Sequence, residues 1–399
     1  MAEPGSLEGL RVLEVGTMLA APLAGMMLAD HGAQVIKIEL PRIGDAMRSW
    51  GFSKGGHGLM WKMLNRNKVL GTLDLRRSSG KALFLRLLET SDVLIENFRP
   101  GTMENWGLDA STLRLARPDL IVLRISGFGQ TGPRANQAGF GTLAEAMSGF
   151  AHVNGWPETP PLLPPFGLAD AIAGITGAFG VLAALQYRVR CGHGQEVDIA
   201  LYEPMLTVMG TQLIDYDQLQ IVQGRVGNRS PFTAPRNAYK TLDQKWLAIS
   251  ASTQRTAERL FEVIGRPEMM LDPRFQDNRS RLANVDALDD AIADWIAELN
   301  LSDAAALLDA ASVPASPIFS PPDILSDPHI AARGSVISIE DDDLGPTRIQ
   351  GPVPRLSRSP GRIRHLGHTE LGRDNSMIYG ELLGLDTDEI QRLHYEGVI

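Results

Sequence analysis

Short unbroken apolar runs, separated by polar and glycine-rich turns, recur along the first part of the chain. Leu10–Val15 (Leu-Arg-Val-Leu-Glu-Val), Ala33–Glu39, Val69–Leu73, Asp92–Glu96 and Leu120–Ile125 each read as a strand. Runs of this kind, without strict alternation, suit strands covered by helices on both faces. Pro22–Asp30 and Ser79–Thr90 read as helices between them. Strand, helix and strand therefore follow one another at the spacing of a parallel βαβ unit. Further on, a helix is expected over Gly139–Gly149, a strand over Gln195–Ala200 and a helix from Glu203 to Tyr216.

One stretch departs from this rhythm. Pro164-Pro165-Phe166-Gly167-Leu168-Ala169-Asp170 leads into an apolar run that ends at Ala183-Ala184-Leu185-Gln186-Tyr187-Arg188, with no charge between Ala171 and Leu185. Two prolines and a glycine stop the preceding chain where a helix can begin. Gly174, Gly177 and Gly180 recur every third residue, which thins one face for close backbone approach and predicts a buried helix. A membrane span needs about 20 apolar residues without such a charge, so a core helix is the better fit. Asp170 stands at the head of this helix, and two readings of its carboxylate are open. It is an N-cap accepting the orphan N–H groups of the first turn, or it is a poorly solvated nucleophile kept ionised by the helix dipole.

Beyond Tyr216 the character changes. Gly224–Pro235 is a basic connector marked by glycine and proline, and from Asn237 a strand pair is expected around Asp243-Gln244. Helices are expected near Gln254–Ile264, Val285–Leu299 and Ser302–Ala311, and the proline-rich stretch Pro314–Pro322 reads as a return linker. Ser335–Glu340, the acidic turn that follows it, and helices over Asn375–Leu383 and Thr387–Tyr395 complete the pattern. The fold class expected is α/β, a Rossmann-like large domain with a parallel sheet plus a smaller α/β domain. Its boundaries fall at 1–216 for the first part of the large domain, 217–236 for a linker, 237–318 for the small domain, and 319–399 for the return linker and the rest of the large domain.

Composition narrows the function classes. The 399 residues are 44% hydrophobic and 21% charged, with a formal charge of −9 spread along the chain. That balance suits two globular domains and argues against nucleic acid or a membrane surface as partner. An anionic ligand then needs local basic groups. A single cysteine, Cys191, excludes an internal disulfide and a thiolate metal cluster, and no metal site is expected. Met1-Ala2-Glu3-Pro4-Gly5 has neither the basic nor the apolar segment of a secretory leader, so a cytoplasmic location is expected.

The first βαβ unit invites a dinucleotide, since Glu39 ends its second strand. Gly16-Thr17-Met18-Leu19-Ala20-Ala21-Pro22 lacks the second and third glycines of that fingerprint, which argues against nicotinamide binding. The loops after the other strands carry groups that bind anions or amides: Asn65-Arg66-Asn67-Lys68, Asn97-Phe98-Arg99-Pro100-Gly101 and Ser126-Gly127-Phe128-Gly129-Gln130-Thr131-Gly132-Pro133. At the carboxyl ends of parallel strands such loops face one crevice.

With these residues in view, the chain resembles the family III CoA-transferases, the group of formyl-CoA, carnitine and dicarboxylate CoA-transferases, over essentially its whole length. The resemblance is carried by Leu7-Glu8-Gly9-Leu10-Arg11-Val12-Leu13-Glu14, Val35-Ile36-Lys37-Ile38-Glu39, Asn65-Arg66-Asn67-Lys68, Glu96-Asn97-Phe98-Arg99-Pro100-Gly101 and Gly129-Gln130-Thr131-Gly132-Pro133. It continues through Asp170 before its Ala/Gly helix, Gly192-His193-Gly194-Gln195 and Leu366-Gly367-His368-Thr369. It implies Asp170 as nucleophile, a large domain built from both chain ends, and an interlocked homodimer. The implied reaction moves CoA from an acyl-CoA, with succinyl-CoA or a similar dicarboxyl-CoA expected, to a small carboxylic acid. It runs through an aspartyl anhydride and an aspartyl-CoA thioester, with no permanently bound cofactor and the CoA thioester as substrate.

For CoA the resemblance implies the Thr17-Met18-Leu19 turn, Arg42, Leu73, Arg76, Asn97, Phe98 and Asn105, with Arg42 and Arg76 on phosphates and Phe98 against adenine. Asn105 departs from the basic residue that relatives often carry there. Backbone N–H groups around Gly139-Phe140-Gly141 are candidate oxyanion donors, and Arg225, Arg229 or Arg236 are candidates for a distal carboxylate. Formyl-CoA transferases carry His and Gln where Thr17 and Leu19 stand, with a glycine run absent here, so oxalate is not the acceptor expected. The alternative is an α-methylacyl-CoA racemase-type enzyme. Those place a His within the stretch that here reads Ala138-Gly139-Phe140-Gly141-Thr142, leaving His152 as the one candidate substitute. A CoA-binding scaffold with Asp170 as a plain cap is the non-enzymatic reading.

Overall fold

The computed structural model describes residues 4–399. Met1, Ala2 and Glu3, on which the leader reading partly rests, lie outside the described residues. The chain forms two compact units, one from Met1–Phe150, Leu163–Gly210 and His329–Ile399, the other from Ala151–Leu162 and Thr211–Pro328.

The first unit is built on a six-stranded sheet of β1 (Arg11–Glu14), β2 (Gln34–Glu39), β3 (Val69–Thr72), β4 (Val93–Glu96), β5 (Ile121–Ser126) and β6 (Glu196–Ala200). Their spatial order is β3-β2-β1-β4-β5-β6, and every pairing is parallel. The order reverses between β1 and β4, and in an open parallel sheet that switch point leaves a crevice at the strands' carboxyl ends. Four helices matter here: α1 (Ala20–Asp30), α2 (Ser78–Glu89), α3 (Gly141–Met147) and α4 (Leu168–Cys191). Val12, Val35, Ile95, Leu123 and Ile125 face α1 and α4 in one core layer. Leu13, Ile36, Leu94 and Val122, one position along each strand, face α2 and the late residues Ile378, Tyr379 and Leu393 in the other. Coverage on both faces is why these strands read as continuous apolar runs.

The glycines of α4 do what their spacing predicts. A Cβ on Gly174 would come within 2.7 Å of Ala20 O, on Gly177 within 3.0 Å of Leu123 Cδ2, and on Gly180 within 2.7 Å of Val197 Cγ1. The expectation of a buried helix holds for that face only. Ile175, Phe179, Leu182 and Val189 on the other side are exposed, Phe179 by 71%. An apolar run with no charge reads as buried all round, but here only one face, mostly Gly and Ala with Val181, is buried.

In the second unit an antiparallel pair, β7 (Arg236–Lys240) and β8 (Trp246–Ser250), turns through Gln244 at φ 62° and is joined by β9 (Ala315–Pro317). Helices α5 (Gln254–Val263), α6 (Val285–Ala297) and α7 (Leu301–Ala310) pack on it around Leu247, Phe261 and Ile292. Other element expectations need correction. The helix expected over Gly139–Gly149 starts at Gly141. That expected from Glu203 to Tyr216 is broken into Tyr202–Val208 and Gln212–Leu219, with Gly210 at φ 75° between them. The segment Ser335–Glu340, given no element from the sequence, forms β10 (Val336–Asp341), and it pairs with an unforeseen β11 (Gly345–Gln350). Ser376–Leu382 winds as a π-helix.

Candidate active site

The segment after β1 turns tightly at Met18, whose φ is 64°. Two devices hold it there. Asn97, just past β4, accepts from Thr17 N and donates to Thr17 O, both at 2.8 Å. Asp45 accepts from Met18 N at 3.1 Å and Met47 N at 3.0 Å. Asp45 is itself held at 3.0 Å by Lys37 Nζ, which also donates to Gly16 O at 2.6 Å and lies 3.3 Å from Glu14. Lys68 lies 2.8 Å from the other oxygen of Glu14. Lys37, Lys68 and Glu14 are fully buried, and in this group two cations balance two anions. Burial opposes the Lys37 ammonium, but Asp45, Glu14 and Glu39 outweigh it and hold its pKa above the usual range. Burial pushes Lys68 down to about 8. No charge beyond the pairs is left over, which is what a buried ionic group requires.

The turn separates two cavities. One, of about 270 Å³, is walled by Val15, Thr17, Ile38, Leu73, Arg76, Phe98 and Trp106 among others. Phe98 and Trp106 meet there edge to face with centroids 5.2 Å apart, giving flat apolar surface on its wall. The other cavity, of about 430 Å³, is walled by Met18, Leu19, Met47, Trp50, Phe140, Gly141, Thr142, Pro164 to Gly167 and Asp170. Asp170 is the single ionisable group on that wall.

Asp170 is not an N-cap. Gly167 holds that position, and Asp170 sits in the first turn, where its carboxylate accepts from the backbone N–H of Gly141, the first residue of α3. Its charge is not simply favoured by the helix end, as the sequence suggested. Desolvation and the neighbouring Glu145 carboxylate outweigh the Gly141 bond and push its pKa up to about 6. A carboxylate is then present at neutral pH but poorly stabilised, the condition for a nucleophile. Gly141 permits this contact, because a Cβ there would collide with Asp170 Oδ2. Gly141→Ala is accordingly expected to reduce kcat by about 10²-fold through displacement of the carboxylate, with the KM for the CoA thioester little changed. Steady-state kinetics check this, and an unaltered kcat would mean that the carboxylate position is not critical.

Of the residues singled out from the sequence, Thr17, Leu73, Arg76 and Phe98 come together on the first cavity, and Met18, Leu19, Phe140, Gly141 and Asp170 on the second. Asn97 acts on the turn between them. Arg76 is exposed and bidentate to Asp74 at 2.8 Å. Gly139 sits beside Phe128 and Gly127 and lines neither cavity. Arg42 faces a different cavity with Arg373 and His394 and bonds Tyr395 O at 3.3 Å. Asn105 is exposed at the end of the short helix Thr102–Asn105. In the second unit Arg225 is bound to backbone carbonyls of His152, Trp156 and Pro157, and Arg229 to Asp286 and Asp289. Arg236 lines an open cavity with Asn228, Ser250 and Ser316.

The sequence reading missed Glu14, Lys37, Asp45 and Lys68 as one group, and Glu145. Three of them carried a signal. Glu14 and Lys37 are charges inside apolar strand runs, and Glu145 is a lone charge four residues after Gly141, on the same helical face.

A switch-point sheet with one desolvated carboxylate on an apolar cavity wall marks an α/β protein with a candidate nucleophile. The chain belongs to the CoA-transferase family III, whose model matches residues 7–375. It is 42% identical to succinyl-CoA–D-citramalate CoA-transferase of Chloroflexus aurantiacus, over 99% of this chain and 98% of that one. It is 38% identical to the succinyl-CoA–L-malate CoA-transferase alpha subunit of Chloroflexus aurantiacus, over 100% of this chain and 95% of that one. Among solved structures it is similar to a CAIB/BAIF family protein from Brucella suis, with a TM-score of 0.84, 31% identity, and coverage of 95% of this chain and 100% of that one. The chain is therefore an enzyme, a CoA-transferase that uses CoA thioesters as substrates.

Proposed function

We propose that the chain transfers CoA from succinyl-CoA, or a similar dicarboxyl-CoA, to a small dicarboxylic acid, with Asp170 as the covalent nucleophile. The observation that carries the reading is the Asp170 carboxylate, desolvated and accepting from Gly141 N–H on an apolar cavity wall. The donor and acceptor class is supported by relatives named for succinyl-CoA with D-citramalate or L-malate.

Asp170 Oδ bonds to the thioester carbon, the C–S bond breaks and CoA thiolate leaves, giving a mixed anhydride. The thiolate attacks the aspartyl carbonyl of that anhydride and releases the first acid. The acceptor carboxylate then attacks the aspartyl thioester, and the returning thiolate takes up the new acyl group and frees Asp170. One poor displacement is thus divided among activated acyl groups. Of the nucleotide-contact candidates, Thr17, Leu73, Arg76 and Phe98 are supported by their shared cavity, with Phe98 and Trp106 offering a face to adenine. Arg42 and Asn105 have no such support.

The protein works as an interlocked homodimer in this reading. The exposed Ile175, Phe179 and Leu182 face of α4 supports a subunit contact, since monomers seldom leave so much contiguous apolar surface in water.

The test is mass spectrometry of intact protein after brief incubation with succinyl-CoA, followed by peptide mapping. An acyl-sized or CoA-sized adduct on the peptide holding Asp170 is expected. An adduct elsewhere, or turnover with none on a millisecond quench, would remove Asp170 from the chemistry.

A further inference from the structure

Glu145 lies in α3, 2% exposed, among Ala144, Ala169 and Ala173 of the apolar core beneath the site. A carboxylate in such a place needs partners. Its Oε1 accepts from Ala169 N at 3.1 Å. Ala169 belongs to the first turn of α4, where N–H groups have no intrahelical acceptor, and the N-cap Gly167 has no side chain to offer one. Glu145 therefore caps α4 from another helix, one residue before Asp170.

The position brings a second buried carboxylate beside the first. The charged groups on the remaining elements packed against α4 are engaged elsewhere. Asp30 of α1 binds Arg66 and Asn67, and Arg124 of β5 binds Glu104 and faces Glu96 and Glu196. Asp198 of β6 accepts from Gln130 N, Glu203 accepts from Ala200 N, and Tyr202 packs into the core. Near the cavity wall Asp45 is held by Lys37, and Arg48 by Glu39 and Thr369 O. Glu145 is the charge that acts on Asp170, and it acts to disfavour a second negative charge.

We propose that Glu145 is a positioning residue for Asp170: it braces the first turn of α4 and keeps a fixed negative charge beside the nucleophile, which acylation relieves. This rests on the reading of Asp170 as nucleophile. When Asp170 Oδ bonds to the acyl carbon, the electron pair of the broken C–S bond leaves on sulfur, and no proton moves. The negative charge thereby departs from beside Glu145. Repulsion present before attack and absent after it lowers the barrier to acylation. The same repulsion keeps the attacking oxygen basic.

Gln at this position accepts from Ala169 N as Glu does but carries no charge, whereas Asp keeps the charge and shortens the reach. The readout is the pre-steady-state rate of CoA release from succinyl-CoA as a function of pH, in wild type, Glu145→Gln and Glu145→Asp. Attack needs ionised Asp170, so the wild-type rate falls on the acid side with a midpoint near 6. In Glu145→Gln the midpoint is expected about one unit lower, with acylation slowed about 10-fold above pH 7.5 and the melting temperature raised rather than lowered, since the repulsion on Asp170 is gone. Glu145→Asp is expected to keep the wild-type midpoint while melting lower. A purely structural role would lower the melting temperature and leave the midpoint alone, and a Gln variant with the wild-type midpoint overturns the proposal. Adduct mapping on the same wild-type samples separates the two readings. Label on Asp170 with an unmoved midpoint sinks the role of Glu145 alone, and label elsewhere sinks both.

Discussion

Asp170→Asn should lose turnover by about 10⁴-fold and yet unfold at a higher temperature than the wild type. Loss of activity follows from removing the attacking oxygen's charge while keeping the bond to Gly141 N–H, since the amide oxygen still accepts. The gain in stability follows from linkage. The folded pKa of Asp170 is raised to about 6 by desolvation and by Glu145, from an unfolded value of about 4. The folded state therefore holds its proton more tightly, and stability falls as pH rises between those values. Above pH 6 the full cost of the buried charge is present, and Asn removes it, for a gain of about 2 kcal/mol after allowing for partial exposure. Below pH 4 both forms are neutral and the two proteins should unfold alike. Urea denaturation at pH 4 and pH 7.5 measures the difference. A variant less stable at pH 7.5 would mean that the Asp170 charge stabilises the folded state, and turnover within 10-fold of wild type would mean that it is not the nucleophile.

The second large effect belongs to Lys37. Lys37→Met leaves Glu14 and Asp45, both buried, with Lys68 as their one remaining cation. Removing one partner from a buried ionic group typically costs about 3–5 kcal/mol, because the charge left behind stays desolvated. Asp45 would also lose the contact that aims it at Met18 N. The expected outcome is an unfolding free energy in urea lower by that amount and, in protein that remains folded, a raised KM for the CoA thioester. A cost below about 1 kcal/mol would show that water enters to replace the ammonium.

The sheet was legible because each of its strands is covered on both faces, so Val-Leu-Ile-Glu and Ile-Val-Leu-Arg-Ile-Ser could be recognised without partners. Asp170 was legible as the one charge heading an uncharged helix, and the resemblance supplied the expectation of a nucleophile. Its pKa was not, since the dipole argument saw only α4, whereas burial in the folded site and, after it, the Glu145 charge on α3 push the carboxylate up. Glu14 and Lys37 looked like tolerated charges in strand runs, because nothing local announces Asp45 and Lys68 as their complements. β11 was hidden by its composition, Gly-Pro-Thr-Arg-Ile-Gln, which is stabilised by pairing with β10 rather than by its own propensity. The free side of α4 was illegible for a simpler reason. Hydrophobic pattern reports which residues avoid water, not what covers them.

The core layer behind the sheet unites Leu13 and Ile36 with Ile378, Tyr379 and Val398. Asp74 N donates to Val398 O and Leu70 N to Asp374, so chain from the two extremes is joined by backbone as well as by packing. On the ribosome, strands β1 to β6 must therefore wait, with part of that face of the sheet uncovered, until Ile378, Tyr379 and Val398 have been made. Long-range closure of this kind is slow, and bare sheet surface is prone to aggregate in the meantime. Yield in a foreign host should accordingly be governed less by final stability than by translation speed and by chaperones able to shelter the waiting sheet.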